Sequence, residues 1–171
     1  MRWQRSAIVP ADVRAELDVA AGERPLAAAL DGDDRWVVGT DRALHLPIDE
    51  GWQVLPWQRV DRAGWDKDSE RLVVVEVADF GEQQPQHELA LRDPMRLLDL
   101  VRERVTASVL LTRHVPVEGS RGLKVVARRS PTGRGEIDWS TWLDDGLDPA
   151  DPRVQRAVAE GLAAGRADLG L

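Results

Sequence analysis

The chain has 171 residues, enough for one compact domain with an extension and for burying about 70% of its unfolded surface without a covalent staple. It holds no cysteine, which excludes a disulfide framework, a thiolate zinc site and cysteine nucleophile chemistry, and suits a reducing cytoplasm. The net charge of −7 is uneven: residues 92–134 carry ten Arg and Lys against four Asp and Glu, a local +6 on a body of −13. That balance argues against non-specific coating of nucleic acid but leaves room for one basic face.

The N-terminal MRWQRSAIVPADV has no apolar stretch of signal-peptide length. No run approaches the roughly 18 apolar residues of a bilayer span, so the expectation is a soluble cytoplasmic protein. Residues 8–20 predict a short helix with Pro10 in its first turn and Val13 and Leu17 on one face, the centre of an N-terminal unit over 1–21.

Strand-length apolar segments follow. A first, alanine-rich one covers 26–30, and the others cover 35–40, 42–46, 52–56, 57–66, 71–77 and 87–92. Asp31-Gly32-Asp33-Asp34, Asp49-Glu50-Gly51 and Lys67-Asp68-Ser69-Glu70 supply turns between them. Pro56 bends or breaks the 52–66 stretch, because it cannot donate to a ladder. The 71–77 segment is apolar on both faces at Leu72 to Val75, which places it between two packed layers.

Asp93-Pro94 reads as a helix start, with Asp93 as acceptor for the free amides. Leu97, Leu98, Val101 and Val105 form its buried stripe, leaving Arg96, Arg102, Glu103 and Arg104 to solvent. The helix either continues to about Thr112 or gives way to a strand near 110–117, the reading favoured by the hairpin-like Glu118-Gly119-Ser120-Arg121-Gly122 and a strand over 123–129. A further strand at 136–143 carries Trp139 and Trp142, which point to opposite sides. Asp151-Pro152 starts a last helix reaching about 168, with Val154, Val158 and Leu162 on one face. Gly161 and Gly165 inside that helix imply close docking on the body, since each costs about 1 kcal/mol relative to alanine.

The strand order, the closing helix and the string GTDRALHLP…GWQVLPWQRVDRAGWD…RLVVVEV resemble the bacterial pleckstrin-homology-like domains over roughly 22–108. The resemblance rests on Thr40 to Leu46, Trp57 to Val60, Leu72 to Val77 and the helix from Pro94 to about Ser108. It implies an α+β fold, an antiparallel β-sandwich or partly open barrel capped by a helix. Residues 109–171 would then be a β-hairpin, strand and helix extension packed on the body. Such folds mostly bind peptides, proteins or lipid headgroups and rarely catalyse. Here the first hairpin holds Asp31, Asp33 and Asp34 where lipid-binding members place cations, which speaks against phosphoinositide or membrane binding.

No Walker loop, G-x-S-x-G elbow, H-E-x-x-H or dinucleotide glycine fingerprint occurs. His45, His87 and His114 are dispersed, which gives no metal-ligand spacing and no cofactor site. The run Asp144-Asp145-Gly146-Leu147-Asp148 with Asp151 invites a calcium reading but lacks the twelve-residue ligand pattern. Asp148 and Asp151, each just before a proline, fit capping instead. Trp36, Trp57 and Trp65 are expected to fill the core, while Trp52, Trp139 and Trp142 are candidates for a partly exposed face.

The candidate partner-binding residues are Arg113, Arg121, Lys124, Arg128, Arg129 and Arg134, clustered about the proposed hairpin. They could receive an acidic protein surface or a phosphate backbone, or pair internally with the acidic remainder. The sequence therefore points to a non-enzymatic binding or scaffold protein with a protein partner. The alternatives are a nucleic-acid-associated protein using 113–134, and an enzyme built from dispersed carboxylates and His87.

Overall fold

The structure, a computed structural model, describes residues 9–17 and 19–171. Of the helix expected over 8–20, Ile8 and Asp18 lie outside the described residues, as does the rest of the N-terminal unit before Val9. The helical part is α1, Ala11–Glu16, and its Val13 is buried together with Val9 and Leu17.

Seven strands then form one antiparallel sheet: β1 (Pro25–Asp31), β2 (Trp36–Thr40), β3 (Ala43–Pro47), β4 (Trp52–Pro56), β5 (Val60–Asp66), β6 (Arg71–Glu76) and β7 (Gln86–Arg92), in the order β4-β3-β2-β1-β7-β6-β5. β4 and β5 are the free edges, so the sheet does not close on itself. β1 pairs with β2 along most of its length but meets β7 only through Leu30–Arg92 and Asp31–Leu91. The sheet is thus two arms, of four and three strands, joined at one corner.

Why β1 is so rich in alanine now follows. Ala27 and Ala29 face the main core with Leu44, Trp57, Leu72 and Leu97, while Ala28 faces Val13, Leu17 and Val38 under α1. A strand covered on both faces at such close range takes small side chains.

Helix α2, Met95–Ser108, packs into the main core through Leu97, Leu100 and Val101. Gly39 on β2 permits the contact, because a Cβ there would lie 2.6 Å from the Leu100 side chain. Two details differ from expectation. Residues 57–59 form a 3-10 turn (Trp57–Arg59) rather than strand, because after Pro56 the chain must turn Trp57 inward. The indole of Trp57 is fully buried and donates to the Thr40 carbonyl at 2.9 Å. At the start of α2 the cap position is Pro94, with no side-chain cap, and Asp93 sits at φ 47° instead of accepting the first amides.

From Ser108 the chain passes directly into β8 (Val109–Glu118), which pairs with β9 (Arg121–Arg128), itself paired with β10 (Asp138–Leu143). Helix α3, Pro152–Asp168, covers one face of this three-stranded sheet, packing on Leu123, Val125 and Trp139. Gly161 and Gly165 are the points of closest approach: a Cβ at the first would lie 2.9 Å from Val115 and Val125, and at the second 2.8 Å from the Trp139 ring. Arg166 adds a cation–π contact on Trp139, 5.8 Å from the ring centroid. Among the described residues no helix is long and apolar enough to cross a membrane.

Candidate functional site

Alternation along β9 sorts the basic segment. Leu123, Val125 and Ala127 point to α3, so Lys124, Val126 and Arg128 point the other way, together with Thr112 of β8 and Trp142 of β10. This second face looks across a gap at β5 and the β6–β7 loop. Asp61, Arg62, Gln84, Thr112, Lys124, Val126, Arg128 and Trp142 enclose a cleft of about 390 Å³ between the two sheets.

The floor of the cleft is a polar network centred on Arg128 and Asp61. Arg128, 4% exposed, donates to the Asp61 carboxylate at 2.8 Å, to the Asp61 carbonyl at 3.3 Å and to Ser140 Oγ at 3.1 Å. Burial pushes its guanidinium below the usual value, while Asp61 pulls it back up. The other oxygen of Asp61 accepts from Arg62 at 3.2 Å and from Gln84 at 3.1 Å, so the carboxylate is saturated. The rim differs. Lys124 is exposed and makes no close ion pair among the described residues, though its charge acts on Asp144. Trp142 is half-buried, and its indole N–H, like Nε of Arg128, is shielded from solvent without an acceptor. Three cations against one carboxylate leave the cleft with a positive surplus and an unused donor.

The six predicted residues do not form one patch. Lys124 and Arg128 meet in the cleft, though Arg128 is buried and not available as a surface contact. Arg113 pairs with Asp168 on α3, and Arg121 with Glu118 across the hairpin at 2.7 Å. Arg129 is half-buried beside the end of α2, its amide donating to the Ser108 carbonyl. Arg134 is exposed in the β9–β10 loop and lines a separate cavity. Nothing local in the sequence marks Asp61, Arg62 and Gln84 as members of the cleft. They arrive from the other sheet, and the only sign of them was an excess of carboxylate able to bury an arginine.

Each histidine faces one carboxylate: His45 with Glu23 at 3.2 Å, His87 with Glu76 at 2.5 Å and His114 with Asp144 at 3.6 Å. Among the described residues no three His, Asp or Glu converge as a metal-holding group. The acidic run is structural: Asp144 accepts the Gly122 amide at 2.7 Å, Asp148 that of Ala150 and Asp151 that of Arg153, each at 2.8 Å. The Gly122 amide holds the Asp144 carboxyl below the ordinary range, helped by His114 and Lys124. Trp139 packs on α3 and Trp142 on the cleft side, on opposite faces of β10.

A comparison with known proteins found no matching family model, no similar curated protein and no similar solved structure.

Proposed function

We propose that this is a non-enzymatic binding protein of pleckstrin-homology-like layout, whose inter-sheet cleft receives an acidic side chain from a protein partner. The layout is supported by seven antiparallel strands in two arms, followed by a helix packed between them. The observation that carries the binding reading is the charge balance of the cleft, where Arg62 and Arg128 share the one carboxylate of Asp61 and the exposed Lys124 makes no ion pair among the described residues. A carboxylate there would gain charge-assisted hydrogen bonds worth about 1.5–3 kcal/mol each.

Nucleic-acid binding is the weaker reading, because Arg128 is buried against Asp61, and Arg113 and Arg121 stand beside carboxylates that repel a phosphate backbone. The test is a pull-down from the native organism with wild-type protein and with Lys124→Glu, a substitution at an exposed position. A stoichiometric protein captured through an acidic segment by the wild type and lost by the variant is expected. Equal capture by both, or no partner, overturns the proposal. A nucleic acid eluted by raised salt replaces it with the other reading.

A further inference from the structure

A second cavity, of about 380 Å³, is lined by Arg24, Asp41, Arg42, Arg104, Thr132 and Arg134. Four arginines from four separate stretches of chain converge there: the segment before β1, the β2–β3 turn, α2 and the β9–β10 loop. Only the fold brings them together.

Asp41, the single acid in the wall, is already engaged. It accepts the Arg24 amide at 2.8 Å and pairs with the Arg24 guanidinium at 3.7 Å. Arg42 donates to the Ala21 carbonyl at 3.2 Å. Arg104 was expected to face solvent, yet its side chain is only 21% exposed; one terminal nitrogen lies 3.5 Å from the Glu103 carboxylate, and its Nε is buried without an acceptor. Arg134 is exposed and, among the described residues, has no carboxylate partner. Arg24 faces Asp41 and Arg104 faces Glu103, which leaves two cations in surplus; converging guanidiniums repel one another, so the arrangement gains stability when an anion enters.

We infer that this cavity binds the phosphate group of a small phosphorylated molecule. A phosphate carries about −1.5 to −2 at neutral pH and offers three acceptor oxygens, which match several guanidinium forks better than a single carboxylate does. Thr132, whose hydroxyl already exchanges a hydrogen bond with Ser130 at 2.9 Å, is a further donor at the rim. None of the large exposed apolar side chains (Leu26, Ile48, Val54, Met95, Val109, Leu171) lines the cavity, so it lacks the apolar collar with which a protein would enter a lipid surface.

The site is separate from the inter-sheet cleft and can be tested apart from it. Isothermal titration with sodium pyrophosphate and with inorganic phosphate, at constant ionic strength, is expected to give saturable one-to-one binding. Arg24→Gln with Arg134→Gln removes two exposed guanidiniums without touching the core, and is expected to weaken binding by about tenfold or more. Lys124→Glu is expected to leave it unchanged. Arg104→Gln, checked for native circular dichroism, is expected to weaken it as well. No saturable binding of either probe by the wild type, or binding indifferent to the Arg24 and Arg134 changes, overturns the inference. Sedimentation with phosphatidylcholine vesicles containing phosphatidic acid, in the absence of binding to the free probes, overturns it in favour of a lipid headgroup.

Discussion

Arg128 on β9 and Asp61 on β5, 67 positions apart in the chain, meet at 2.8 Å and bind the three-stranded sheet to the seven-stranded one. Arg128 is nearly inaccessible and Asp61 about 15% exposed on its side chain, so either partner left alone would be a charge in poor contact with water. Asp61→Ala is expected to destabilise the protein by about 3 kcal/mol, the cost of an uncompensated buried charge. Replacing both, as Asp61→Leu with Arg128→Met, is expected to recover most of that loss. Urea denaturation of the two variants and the wild type checks it, and equal losses in both variants would contradict the pairing. Reversing the charge at Arg128 consequently reports on folding rather than on binding, which is why Lys124 is the position at which to probe the cleft.

Two strand glycines should behave in opposite ways. A Cβ on Gly122 would lie 2.1 Å from the Val115 carbonyl oxygen, a backbone atom of the paired strand that cannot swing aside. Gly64 on β5 has nothing within 4 Å of that position. Gly122→Ala is expected to cost more than about 2 kcal/mol by forcing β8 and β9 apart, well outside the range of surface changes. Gly64→Ala is expected to be neutral or to stabilise by up to about 1 kcal/mol, because glycine is the poorer strand residue. Thermal unfolding of the two variants separates them.

What the sequence made legible follows the reach of each signal. Alternation and turn residues act over a few positions, so the strands at 71–77 and 87–92 and the helix begun by Asp151-Pro152 are recovered to within a residue or two. The glycine pair Gly161 and Gly165 announced a close contact, and the contact is there. The 3-10 turn at Trp57 was hidden because a proline followed by an apolar residue reads equally as a bent strand. The site was less legible still. Arg128 looked like a surface cation, since the carboxylate that buries it belongs to a strand in the other sheet. Arg104 looked solvent-facing on its own helix, because what covers that helix face comes from the chain after β9 and before β1.

The start of α3 rests on one side chain. Asp151 Oδ1 accepts the Arg153 amide at 2.8 Å, and the same carboxylate pairs with the Arg153 guanidinium. Those hydrogen bonds hold its carboxyl below the ordinary range. Asp151→Ala is expected to destabilise the fold, and Asp151→Asn appreciably less, since the amide oxygen can still cap. For a chain of this size the alanine variant should melt about 2–4 °C lower, which differential scanning calorimetry resolves. An asparagine variant as unstable as the alanine one would shift the weight from the cap to the Arg153 ion pair.

Glu23, just before β1, sets an acid limit on stability. Its side chain is 6% exposed; Oε1 accepts from Thr40 at 2.6 Å and lies 3.2 Å from His45 Nε2, and Oε2 accepts the Ala20 amide at 3.0 Å. Burial pushes the carboxyl up, but the hydrogen bonds from Thr40, His45 and Ala20 outweigh it and hold it below its ordinary value of 4.5. A carboxyl depressed in the folded state contributes stability above its unfolded value and loses it as the pH falls through the folded one. Glu23→Gln is therefore expected to cost about 2 kcal/mol near pH 5, the worth of its charged hydrogen bonds, and progressively less toward pH 3. Urea midpoints of wild type and variant across that window make the measurement. A penalty that stays constant as the pH falls would mean that Glu23 is held by its shape and not by its charge.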